Sequence, residues 1–497
     1  MYTVNSIRNI CLLGHSGSGK TSLAENLLFI TGAIERQGRV ADGNTVCDYD
    51  PEEVKRQISL STAVAPIDYK GCRINVLDTP GAFDFSGEVM EALRAADAAI
   101  IVCSAKDGVS VGLEKAWKYC EERNMPRFIY ISKTDEDNSD YNATFEALRA
   151  RFGNKIAPLV VPIWDEGKKV TGIIDVLNKR AYEMQGGKRV EIEVPADKEA
   201  VITEFNDALK ESVAETSEEF MDRYFEGDTF SVTEVSAALA MNVQEASIVP
   251  VCMGSPINLR GVSNLLDDIC GYFPSPDKRS CNGIAQKTNE IFEANYDFTK
   301  VKSAYVWKTI ADPFLGKYSL IKVCSGVIKS DDTLLNVEKG EEERLNKLYV
   351  LEGSKPIEVP ELHAGDIGAI AKLNSVQTGD SLATKANPIL YPKGFRVPVP
   401  LFYMEGFMKY SLISSAVSLV LYHHELLSSA GLFGYLAGIL YLVTYRANAT
   451  LIAIGCIATA IITVMYFNWD FSFTGYMTVG VAWSMTILAL TVILTIV

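Results

Sequence analysis

The chain's ten cysteines form no Cys-x-x-Cys pair and follow no regular spacing. That excludes the common zinc frameworks and a disulfide-stapled fold. Several of them, such as Cys11, Cys103 and Cys324, sit inside apolar strand-like runs and read as reduced, buried thiols. The opening residues MYTVNSIRN contain no apolar signal segment, so the charged part of the chain is expected in the cytoplasm. No internal repeat or low-complexity tract is present. Near its end the sequence lacks charge instead. Residues 401–497 hold only Glu405, Lys409, Glu425, Arg446 and Asp470, so almost all of the net charge of −15 lies before them. This acidic balance argues against broad nucleic-acid binding, and no sequence-specific nucleic-acid partner is expected. At 497 residues the chain is too long for one core, and two to four domains are expected.

The most informative stretch is Gly14-His15-Ser16-Gly17-Ser18-Gly19-Lys20-Thr21, a complete G-x-x-x-x-G-K-T loop. It follows the apolar run Ile10–Leu13 and precedes the helical pattern Ser22–Phe29. A strand feeding such a loop aims backbone N–H groups, and the positive end of the next helix, at one anion. Lys20 then reaches the β- and γ-phosphates of a nucleoside triphosphate, and the Thr21 hydroxyl joins a Mg²⁺ shell. Asp78-Thr79-Pro80-Gly81 ends the run Arg73–Leu77. A carboxylate there holds Mg²⁺ through water, and the Gly81 N–H faces the γ-phosphate. Lys20, Asp78 and Gly81 are therefore the candidate catalytic residues. Ser132-Lys133-Thr134-Asp135 follows the strand Phe128–Ile131. Asp135 accepts from guanine N1–H and the exocyclic amine, a pair adenine does not offer, while the Lys133 stem covers the base. Gly254-Ser255-Pro256 ends the strand Ile248–Cys252, where a backbone N–H would read guanine O6.

Short apolar runs alternating with helical stretches Ser22–Phe29, Ser86–Arg94 and Val111–Arg123 predict a doubly wound α/β domain over 1–283. Within it, 158–247 reads as an inserted subdomain: strands around a Gly186-Gly187 hairpin turn, then charged helices. Strands separated by turn signals predict a β-barrel over 284–386. A linker spans 387–409. Residues 410–497 read as a helical membrane region. Its segments Ala449–Phe467 and Gly475–Val497 are long enough to cross about 30 Å of hydrocarbon, and Lys393, Arg396 and Lys409 favour a cytoplasmic N-terminal side. His423-His424-Glu425 reads as an interfacial loop, since no further metal ligands accompany it.

The four nucleotide elements, in this order, resemble a translational GTPase, specifically elongation factor G of a divergent branch carrying G-H-S-G-x-G-K-T. Asn44–Ser59 looks like that family's first switch and Asp78–Gly81 with Asp84-Phe85 like its second. Asp312-Pro313-Phe314, Ser325-Gly326, Gly365-Asp366-Ile367 and Thr378-Gly379-Asp380 are similar to its second-domain barrel. The likeness covers residues 1 to about 400. It implies GTP and GDP with Mg²⁺ as ligands, the ribosome as partner, and GTP hydrolysis as the reaction. It also implies metal ligation by Thr21, Ser59 and Asp78, with Ser59 standing where the family has threonine. Ser132 replaces the asparagine of N-K-x-D, which removes an amide that steadies the base and the phosphate loop. Ala82 replaces the histidine that orients the attacking water. Slow or absent hydrolysis with retained binding is the expectation. The family's three further domains have no counterpart after Leu401. The alternatives are a membrane-tethered guanine-nucleotide switch, or a fusion of two unrelated genes near residue 400.

Overall fold

The computed structural model describes residues 2–392, apart from 166–168, 256–257 and 313–315. The membrane segments expected after residue 410, residues 393–409 of the linker, Pro256 and Pro313-Phe314 lie outside the described residues. Among the described residues, no helix is long and apolar enough to cross a membrane.

The first domain is built on seven strands: β1 (Ile7–Leu13), β2 (Ala63–Tyr69), β3 (Cys72–Asp78), β4 (Ala98–Ser104), β5 (Arg127–Ser132), β6 (Ile156–Pro158) and β11 (Val249–Met253). They form one sheet in the order β2-β3-β1-β4-β5-β11-β6. The first helices of the chain are α1 (Lys20–Ile30), α2 (Pro51–Arg56), α3 (Ser86–Ala95) and α4 (Val111–Glu121). β4 and β5 are buried along their whole length, as parallel strands covered on both faces must be. All pairings are parallel except β2–β3. β2 carries Pro66 and occupies the sheet edge, where a missing N–H costs no ladder bond. Because β1 lies between β3 and β4, the chain reverses direction across the sheet at β1. The crevice at the carboxyl ends of these strands is where such folds hold ligands.

Between β6 and β11 lies a second, four-stranded antiparallel sheet: β7 (Val160–Trp164), β8 (Val170–Asp175), β9 (Arg180–Gln185) and β10 (Lys188–Ile192). β9 and β10 meet through Gly186 and Gly187, at φ 57° and 78°. A two-residue hairpin of this hand needs both left-handed. Helices Glu199–Ala214, Glu218–Glu226 and Val232–Gln244 follow. The third part, residues 282–392, is β-rich. Its main sheet has eight antiparallel strands centred on the pair Ser303–Asp312 and Gly316–Ser325.

This β-rich part packs on the first domain through buried polar groups. Lys322 Nζ stands 2.5 Å from Asp97 Oδ1, with both side chains almost fully buried. Asn9 Nδ2 donates to Asp97 Oδ2 at 2.8 Å and to the Gly365 carbonyl at 2.8 Å. Lys308, also buried, donates to the Glu88 carboxylate, to the Ser61 hydroxyl and to the Thr62 carbonyl.

Candidate nucleotide site

The loop Gly14–Thr21 joins β1 to α1. Gly14, Gly17 and Gly19 take φ of 140°, 76° and 98°. At Gly14 space is also short, since a Cβ would stand 2.5 Å from the Val102 carbonyl oxygen. Gly19 caps α1 without a side-chain acceptor of its own, so the N-cap leaves the positive end of the helix uncapped. Ser22 continues the first turn. Lys20 is buried, its Nζ donating to the carbonyls of His15 at 2.9 Å and Gly14 at 3.2 Å. Burial lowers its ammonium to about 8, against the pull of Asp78 and Asp48.

Thr21 Oγ1 and Ser59 Oγ lie 3.1 Å apart. Asp78 ends β3 beside them, fully buried, with neither carboxylate oxygen in a well-formed hydrogen bond. Burial and the charge of Asp48 raise its carboxyl to about 7; the nearby Thr21 hydroxyl and Lys20 act the other way. Asp48 is buried too, and its Oδ1 has no hydrogen-bond partner. Two hydroxyls and two under-satisfied carboxylates form a hard oxygen set of the kind Mg²⁺ selects. Asp48 opens the Asp48-Tyr49-Asp50-Pro51-Glu52-Glu53 run of the switch-like stretch but is not among the expected metal ligands; the fold of that stretch carries it to Asp78.

Gly81 lies against the phosphate loop. A Cβ there would stand 2.5 Å from Lys20 Nζ and 2.6 Å from Ser16 N, so no larger residue fits. Ala82 follows and lines a cleft with Thr79, Pro80 and Phe83. His15 packs on the start of α4, where a Cβ on Gly112 would meet its Nδ1 at 2.7 Å. Its ring also stands 6.0 Å from that of Phe83.

At the other end of the crevice, Asp135 Oδ1 is buried with no hydrogen-bond partner, as a carboxylate waiting for N–H donors would be. Lys133 takes φ 58° and its Nζ stands 3.7 Å from Glu136. Thr134 Oγ1 donates to the Gly254 carbonyl at 3.2 Å. Two expectations change here. Ser132 does hold the phosphate loop, because its hydroxyl lies 2.6 Å from the Ser18 carbonyl and 3.2 Å from that of Cys103. Conversely, the O6-reading N–H is not supplied by Gly254 or Ser255. Gly254 N donates to Ile131 O and Ser255 N to Arg260 O, closing the strand end on itself. Pro256 lies outside the described residues and, as a proline, carries no N–H.

Sequence and structure comparisons agree with this geometry. The family described as Elongation factor Tu GTP binding domain matches residues 5–275, and Elongation factor G domain 2 matches residues 302–385. A solved structure of a protein from Thermus thermophilus is similar at a TM-score of 0.67 and 35% identity, covering 76% of this chain. The match spans 54% of the length of that protein. With its phosphate loop, its Ser132–Asp135 segment at the end of β5 and its β-rich second part all in family order, the chain belongs to the translational GTPases and is elongation factor G-like.

Proposed function

We propose that the chain binds GTP and GDP with Mg²⁺ in this crevice and acts on the ribosome as an elongation factor G-like protein with slow hydrolysis. The observation that carries the reading is the pair of orphaned carboxylates, Asp78 and Asp135, at the two ends of one crevice floored by the phosphate loop. Lys20 and the amides of Ser16 to Thr21 would neutralise the phosphates. Thr21, Ser59 and Asp78, with Asp48 behind them, would hold Mg²⁺, which when bound draws charge from the β- and γ-phosphates. Asp135 would select guanine under the Lys133 stem. The Gly81 N–H would mark the γ-phosphate, distinguishing GTP from GDP. Ala82 offers a water nothing to bond, and His15 is occupied beside α4, so neither residue orients the nucleophile. The charge-poor, apolar sequence after residue 410 favours a second, compatible reading in which the nucleotide part is tethered to a membrane.

Calorimetric titration of the full chain with GTP, GDP and ATP tests the binding. Both guanine nucleotides should bind in magnesium and ATP should not; equal affinity for ATP would remove the Asp135 argument. Turnover with ribosomes tests the rest. Slow cleavage is expected, and rapid ribosome-stimulated cleavage would overturn the role given to Ala82.

A further inference from the structure

A second cavity lies at the opposite edge of the same sheet. Its wall includes Asp97, just before β4, and Met125, just before β5, whereas the nucleotide crevice follows the ends of β1, β3 and β5. Strands of seven residues put the two edges roughly 20 Å apart. The cavity holds about 370 Å³ and is walled by the first domain on one side and the β-rich part on the other. We propose that it binds a small phosphate ester, up to a mononucleotide in size.

Charge is the first argument. Arg94, Arg123 and Arg279 all line the cavity, with Lys322 behind them. Asp97 is the one carboxylate among the described lining residues, and it is already engaged by Lys322 at 2.5 Å and Asn9 at 2.8 Å. The guanidiniums are held mainly by backbone carbonyls, which orient a charge without neutralising it. Arg94 Nη2 donates to Pro392 O at 2.8 Å, Arg279 Nη1 to Asn124 O at 2.8 Å, and Arg123 Nη1 to Tyr119 O at 3.2 Å. The nearest acid to any of them is Glu122, half-exposed and 3.9 Å from Arg123. Arg94 Nη1 is buried and bonds to nothing. A buried donor on a fixed cation is expensive to leave unpaired, and a guanidinium fork fits phosphate oxygens.

Shape is the second argument. Arg94 is fixed over the Tyr305 ring, 4.4 Å from its centroid, so its guanidinium is held in place at the cavity wall. Tyr305, Tyr391, Met90 and Leu93 give the rest of the wall apolar faces suited to an organic group carrying the phosphate. Arg94 also sits in the last turn of α3, whose first turn begins five residues after Gly81. A ligand here would therefore press on the helix that leaves the γ-phosphate side of the nucleotide crevice.

The test uses the full chain saturated with GDP and Mg²⁺, titrated calorimetrically with adenosine monophosphate and with inorganic phosphate. Asp135 should exclude adenine from the first crevice, so the two sites are read separately. One saturable site per chain for the monophosphate is expected, competed by phosphate and weakened by salt. Arg94→Met and Arg279→Met should each lower its affinity roughly tenfold or more, with GDP affinity unchanged. Arg279 bonds only loop carbonyls at the rim, so Arg279→Met carries the test should Arg94→Met fail to fold. No saturable binding tighter than about 1 mM, phosphate binding without the ester, or ester binding indifferent to both substitutions would each overturn the proposal.

Discussion

The nucleotide crevice and the seam between the first domain and the β-rich part are both built from buried polar groups, yet they are encoded differently. The crevice comes from contiguous runs, Gly14–Thr21, Asp78–Gly81 and Ser132–Asp135, each at the end of one strand. The seam pairs residues hundreds of positions apart: Lys308 with Glu88, Lys322 with Asp97, Asn9 with the Gly365 carbonyl. In the crevice the carboxylates of Asp78 and Asp135 are left with buried oxygens that bond to nothing in the protein. In the seam these three pairs complete each other. The same residue types thus serve binding where partners are missing and assembly where they are present.

Breaking the seam should have the larger effect on the folded state. Lys322→Met leaves Asp97 buried with its main cation gone, and should cost about 3–5 kcal/mol. Chemical unfolding measures it. The double change Lys322→Met with Asp97→Leu should recover much of the loss, because an apolar pair of similar volume replaces the ion pair. A Lys322→Met protein as stable as the parent would put the seam's cohesion in its apolar contacts instead.

Breaking the crevice should leave stability almost intact and remove function. Lys20→Ala should lower GTP affinity by about 3 kcal/mol, roughly a hundredfold, in equilibrium titration. Since the buried ammonium is costly without a nucleotide, the empty protein should not lose stability with it. Asp135→Asn is subtler. An amide can donate to the second carbonyl of xanthine where a carboxylate cannot, so the preference for GTP over xanthosine triphosphate should fall roughly tenfold. An unchanged preference would move base selection elsewhere in the crevice.

That contrast also explains what can be read from the amino-acid order. The strands and helices around the phosphate loop are legible because apolar runs and glycine turns are local signals: Val111–Arg123 reads as helical, and α4 ends at Glu121. β2 is not legible, since Pro66 breaks the strand pattern and only an edge position tolerates it. Among the expected residues, Lys20, Thr21 and Asp78 lie beside one another, and Ser132, three residues before Asp135, bonds to the phosphate loop. Asp48 stands in the switch-like run, but its place beside Asp78 is not legible because the fold of the segment, not a spacing, delivers it. The Ser255 N–H is misjudged from sequence because its partner, Arg260 O, lies across a turn that no motif records. Lys308 and Lys322 read as unremarkable strand lysines, their meaning resting on contacts more than two hundred residues away.

The smallest expected effect tests whether the seam is as complete as it looks. Glu91 lies on α3 beside Glu88, and burial with the Glu88 charge raises its carboxyl from 4.5 to about 7, against the pull of Lys308. Unfolding returns it to the lower value. Below about pH 4.5 both states hold the proton, and above about 7 neither does. Between these limits the folded state binds more protons than the unfolded one, so this group's contribution makes stability fall as pH rises and then levels off. Glu91→Gln should therefore flatten the melting temperature across that window while leaving GDP affinity unchanged, since the side chain is remote from the phosphate loop in sequence and shares no partner with it. A pH profile identical to the parent's would mean that Lys308 already compensates both acids, and that the seam carries no unmet charge on its helix side.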